Sequence, residues 1–71
     1  MSGLQSLAWQ DTCVEGLTHW TEVETVSGDW LRIKKRRLGG YLVTRFAENQ
    51  RQRLTDEVEM SGEQVEAELT R

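Results

Sequence analysis

The sequence predicts a small α+β domain in which an N-terminal amphipathic helix packs on a β-hairpin, with room after it for a third short strand and a short C-terminal helix. Three patterns carry this expectation. Apolar residues recur at helical spacing over residues 7–24. Residues 30–47 alternate on both sides of a Gly-Gly pair, and Ser61 with Gln64 has the spacing of a capping box.

The helix comes first. Residues 7–24 contain no Pro and one Gly, with Ser6 as N-cap. At 100° per residue, Trp9, Cys13, Gly16, Leu17, Trp20 and Val23 fall on one face, opposite Asp11, Glu15, Thr18 and Glu22. Gly16 on the apolar face costs about 1 kcal/mol against Ala, which suggests close approach by another element. Ser27-Gly28-Asp29 then reads as a turn.

The hairpin is next. Trp30, Arg32 and Lys34 point one way and Leu31, Ile33 and Lys35 the other. Tyr41 to Phe46 is rich in β-branched and aromatic residues. Gly39 and Gly40 between the two runs supply the positive φ that a tight reversal needs. Leu38-Gly39-Gly40 also has the look of the Gly-Gly end of ubiquitin-like modifiers, but the strand that follows makes it a turn.

After Phe46, residues 47–53 are polar and read as a loop or a strand end. Leu54, Val58 and Met60 in an acidic stretch allow a third strand. Ser61 and Gln64 start a helix of about ten residues, with Glu63 suited to the dipole and Val65 and Leu69 on one face. A helix that short docks or frays. The ordered core is expected within residues 6–47, drawn from Trp9, Leu17, Trp20, Leu31, Ile33, Leu42 and Phe46, with residues 50–71 partly flexible.

Composition bounds the function. Seventy-one residues allow one domain of marginal stability. Cys13 is the only cysteine, which excludes an intrachain disulfide and a Cys-based metal cage and favours a reducing compartment. No apolar run approaches the roughly 20 residues of a membrane span, and the N-terminus lacks the pattern of a signal peptide. The expectation is a soluble, intracellular, cytoplasmic protein.

Charge is arranged in three blocks. Residues 1–31 carry −5, residues 32–53 carry +7 and residues 54–71 carry −5, within a formal total of −3. A basic centre between acidic ends either meets an external anion or is neutralised by its own flanks. The run Arg32-Ile33-Lys34-Lys35-Arg36-Arg37, flanked by Trp30 and Tyr41, could release counterions from phosphate and stack on bases. Against nucleic acid stand the overall acidity, with a pI of about 5.0, and the repulsive flanks.

No catalytic or cofactor motif is present, and no cofactor or metal is expected. Cys13 and His19 lie about 600° apart on the expected helix, so they do not form a nucleophile–base pair, and Cys13 reads as a buried structural thiol. The acids Asp56, Glu57, Glu59, Glu63, Glu66 and Glu68 lack calcium-loop spacing and read as a solvated segment that touches the basic hairpin.

Gly28-Asp29-Trp30, followed ten residues on by Gly40-Tyr41-Leu42-Val43, is similar to the early part of the autophagy E2-like conjugating enzymes. In that family a long first helix leads to a first strand near an Asp/Trp pair and a second near Gly-Tyr, and an acidic stretch like Asp56-Glu57-Val58-Glu59 follows in some members. The resemblance spans residues 7–60. Those enzymes are longer, and nothing here matches their active-site cysteine motif. The resemblance therefore implies a truncated or non-catalytic relative.

The leading functional expectation is a non-enzymatic interaction module, of the regulator or inhibitor kind, that binds an acidic protein surface through the basic hairpin. Its contacts would be Trp30, Arg32, Lys34, Lys35, Arg36, Arg37 and Tyr41, with Trp30 as anchor. A nucleic-acid-binding module and the conjugation-enzyme relative are the alternatives, and a homo-oligomer is compatible with any of them.

Overall fold

The computed structural model describes residues 3–47 and 52–70. The part of the polar stretch at 48–51 and the terminal Arg71 lie outside the described residues. A 3-10 turn at Gly3–Ser6 precedes strands β1 (Gln10–Asp11), β2 (Leu17–Glu24), β3 (Trp30–Arg36), β4 (Tyr41–Phe46) and β5 (Val58–Met60), and helix α1 (Gly62–Leu69) ends the chain. All neighbours pair antiparallel in the order β1-β2-β3-β4-β5.

The fold is thus mostly a five-stranded antiparallel sheet with one short C-terminal helix, and the expected N-terminal helix packed on a hairpin is a misreading. Residues 17–24 are β2, a full member of the sheet. Its density of Thr, Val and Trp favours extended backbone, where branched side chains pack well on a pleated surface. Gly16 has φ +85°, which no helix interior tolerates. It closes the turn before β2 and is not a site of helix packing. The apolar residues that seemed to share one helical face are divided between the two sides of the sheet.

The hairpin forms over β3 and β4, with Trp30 opposite Phe46, Ile33 opposite Val43 and Lys35 opposite Tyr41. Its turn is closed by the Arg36 N–H donating to Gly40 O at 3.1 Å and the Gly39 N–H donating to Arg36 O at 3.2 Å. Gly39 and Gly40 carry φ +108° and +79°. Between β2 and β3, Thr18 is extra in the register, a bulge beside Leu17 and His19.

One side of the sheet is covered. Leu31, Ile33 and Val43 from the sheet are buried with Leu4 and with Val65 of α1, and Leu7, Trp9, Val23, Tyr41, Met60 and Leu69 pack around them. Full burial of a side chain such as Ile33 or Leu31 contributes on the order of 1.5–3 kcal/mol. Trp9 donates its Nε1–H to Leu4 O at 2.7 Å and lies 6.0 Å, ring to ring, from Tyr41. Helix α1 starts with the full capping box: the Gln64 N–H donates to Ser61 Oγ, and the Ser61 N–H donates to Gln64 Oε1. Arg45 closes this layer, with Nη1 3.0 Å from Asp29 and Nη2 2.6 Å from Glu68.

Of the expected core, Leu31 and Ile33 are fully buried and Trp9 packs at its margin. Leu17, Trp20, Leu42 and Phe46 are not in it and are only half-buried. For Trp20, Leu42 and Phe46 the cause is the strand register, which turns them to the opposite side of the sheet.

Candidate functional site

Among the described residues no helix or further strand packs over the second side of the sheet, although Thr44 within it is buried and Thr12 and Val14 of the β1–β2 connection border a cleft with Trp20, Arg32 and Lys34. Register fixes what it presents. Trp20, Lys34, Leu42 and Glu59 form one row across four strands; Glu22, Arg32 and Thr44 form the next; Glu24, Trp30 and Phe46 the third. The cations on this face are paired. Arg32 Nη2 lies 3.3 Å from Glu22, Lys34 Nζ lies 2.9 Å from Glu57, and Arg36 Nη1 lies 2.7 Å from Glu59. The Arg32 guanidinium also sits 4.6 Å over the Phe46 ring.

The seven residues singled out from the sequence therefore separate into three groups. Trp30, Arg32, Lys34 and Arg36 share the open face, and Trp30 is half-buried there. Lys35 and Tyr41 stand opposite each other on the covered side, where Tyr41 packs against the core and Lys35 is exposed. Arg37 lies in the turn. Lys35 and Arg37 make no ion pair among the described residues. The basic run is thus largely neutralised by the acids that flank it in sequence, the internal resolution that the three charge blocks allowed.

At one end of the sheet two turns converge, joined by the Arg37 N–H donating to Gly16 O at 2.9 Å. Leu38 is 93% exposed and Val14, on the neighbouring turn, is 58% exposed. A groove of about 470 Å³ lies beside Leu38, lined by Glu15, Gly16, Leu17, Arg36, Arg37, Leu38 and Leu42, whereas Val14 borders a separate cleft with Thr12, Leu17, Trp20, Arg32 and Lys34. Sequence reasoning passed over Leu38, although an apolar side chain between Arg37 and a Gly-Gly turn has no strand partner to bury it. Glu57 and Glu59, expected in an acidic segment touching the hairpin, pair individually with Lys34 and Arg36, whose spacing of two they match.

Cys13 is exposed in the β1–β2 connection and is not the buried structural thiol expected of it. His19 Nε2 lies 3.0 Å from Asp11 across β1 and β2, and its buried Nδ1 has no hydrogen-bond partner among the described residues. No group of three or more His, Cys, Asp or Glu among the described residues is arranged to hold a metal ion. No helix among them is long and apolar enough to cross a membrane.

Burial lowers the pKa of Arg45, but its hydrogen bonds to Glu68 and Asp29 outweigh that effect and hold the guanidinium above its ordinary value. Arg45 is a structural cation. No family model, curated protein or solved structure matches this chain.

Proposed function

We propose that this chain is a small non-enzymatic interaction module whose docking surface is the tip of the basic hairpin, and whose partner is a protein segment carrying an apolar side chain among carboxylates. Leu38 is the observation that carries the reading. A side chain 93% exposed on a turn held by two glycines is pre-set for insertion, because little ordering remains to be done on binding. Arg37 beside it, and Lys35 two residues before, have no carboxylate partner among the described residues, so they supply the complement to an acidic rim. A phosphate backbone suits the hairpin less well, since Arg32, Lys34 and Arg36 would have to leave Glu22, Glu57 and Glu59 to engage it.

The test uses synthetic peptides with Leu or Phe set between Asp/Glu residues, titrated against the full chain by fluorescence polarisation. Leu38→Asp and Lys35→Glu/Arg37→Glu should each weaken binding at least about tenfold. Val26→Asp, at the opposite end of the sheet and 80% exposed, should leave it unchanged. Binding that ignores all three substitutions, or no binding to any such peptide, would remove the proposal.

A further inference from the structure

The open face of the sheet carries a second inference, and Arg36 and Leu42 belong both to this face and to the groove at the hairpin tip. On β4 its column is uncharged: half-buried Leu42 and Phe46 with Thr44, itself buried at 4%, between them. On one side of that column lie the β3 cations Arg32, Lys34 and Arg36, and on the other lie Glu57 and Glu59, carried by β5 and the residue before it. Within one chain the outer cations arch across the column to reach those acids, Lys34 to Glu57 and Arg36 to Glu59.

This face is complementary to itself. A two-fold axis laid along the β4 column turns one copy over onto another so that each cationic column faces the other's acidic column. Leu42 and Phe46 meet their own counterparts at the centre once Lys34 and Arg36 exchange their own acids for the equivalent Glu57 and Glu59 of the other copy. We propose that a second copy of this chain covers the face, giving an isologous dimer about that axis.

Two further observations fit this occupant. The fold is a thin plate, with Cα extents of 29 × 29 × 19 Å. Its broad side is therefore of the order of the roughly 800 Å² that each partner buries in a standard stable interface. The face also keeps four large half-buried apolar side chains, Trp20, Trp30, Leu42 and Phe46, while its charges are matched in pairs. A partner of strong single-sign charge would find no net complement there, whereas a copy of the same pattern does. Covering the face would add a second apolar layer to a chain whose own core rests on five buried side chains.

Sedimentation equilibrium of the full chain from about 1 μM to about 1 mM spans the range in which such a pair would form. The wild type should reach dimer mass. Lys34→Glu/Arg36→Glu makes the face acidic on both sides of β4, and Glu57→Lys/Glu59→Lys makes it basic on both sides. Each variant alone should remain monomeric where the wild type is dimeric, and an equimolar mixture should recover the dimer mass as a one-to-one heterodimer in native mass spectrometry. Leu42→Lys sets like charges on the axis while leaving all four ion-pairing residues in place, and should raise the dissociation constant at least about tenfold. Circular dichroism checks that each variant is folded. A wild type that stays monomeric throughout, a dimer insensitive to these changes, or a mixture that does not associate would overturn the proposal.

Discussion

Replacing Arg45 by Met keeps the length of the side chain, removes its charge, and tests what joins the helix to the sheet. The guanidinium bridges three separate parts of the chain: β4, the β2–β3 turn through Asp29, and α1 through Glu68. Side-chain exposure is 17% for Arg45, 19% for Glu68 and 33% for Asp29. Removing one member of a fully buried ion pair costs about 3–5 kcal/mol, because the charge left behind is uncompensated. Partial exposure lets water take over some of that role, and about 2–3 kcal/mol is the expected loss here. A chain of 71 residues has a total stability of roughly 4–10 kcal/mol, so the change removes a large share of it.

Urea unfolding followed by tryptophan fluorescence measures that loss, and a melting curve should shift down by about 10–20 °C. The triple variant Arg45→Met/Asp29→Asn/Glu68→Leu leaves no orphaned charge and should regain most of the stability. Because the folded Arg45 pKa is raised, its contribution is complete at every pH below its ordinary value and is lost only as pH rises through the folded value, far in the alkaline range. The difference between wild type and Arg45→Met should therefore be the same at about pH 6 and about pH 9. A loss under about 0.5 kcal/mol, or a triple variant no better than the single one, would refute the argument that an uncompensated carboxylate sets the cost.

Two further substitutions probe local features. Ser61→Ala removes the hydroxyl that accepts from the Gln64 N–H and should cost about 1 kcal/mol, with faster amide exchange confined to the first turn of α1; unchanged exchange there would contradict the capping role. Cys13, being exposed, should react fully with Ellman's reagent in the native protein, and Cys13→Ser should alter stability by no more than about 0.5 kcal/mol. A native thiol that reacts only in denaturant would place Cys13 inside the structure instead.

The β3–β4 hairpin and the capped start of α1 were readable from sequence because their signals are local. Alternation in Trp30 to Lys35 and the Gly-Gly reversal have no competing interpretation, and Ser61 with Gln64 satisfies helix donors through its own side chains. Residues 7–24 were misread because Trp9, Leu17, Trp20 and Val23 satisfy a 3.6-residue period while His19, Thr21 and Val23 against Trp20, Glu22 and Glu24 satisfy a period of two. The tie should have gone to the strand on the strength of Thr18, Thr21, Val23, Thr25 and Val26, five branched residues within nine positions. Choosing the helix also misassigned the core, since one face of a helix and one face of a strand collect different residues.

The candidate surface was half visible. Clustered cations are obvious in the linear chain, but which of them remain available depends on long-range pairing, Lys34 with Glu57 and Arg36 with Glu59, each across 23 residues. Only the matching i, i+2 spacing of the two pairs hinted at it. Arg45, the most enclosed cation of the ion pairs among the described residues, looked no different in sequence from its solvated neighbours.

The order of strands in the sheet repeats their order along the chain, and this has a kinetic consequence. The β1–β2, β2–β3 and β3–β4 ladders can each zip from a short connection, while β4–β5 must first close the longer stretch of residues 47–57, so most of the sheet assembles against a small entropic barrier. Since α1 follows every strand in chain order, the sheet can pair before its apolar side is capped, and the interval between those two events is when a nascent chain would be most exposed to aggregation.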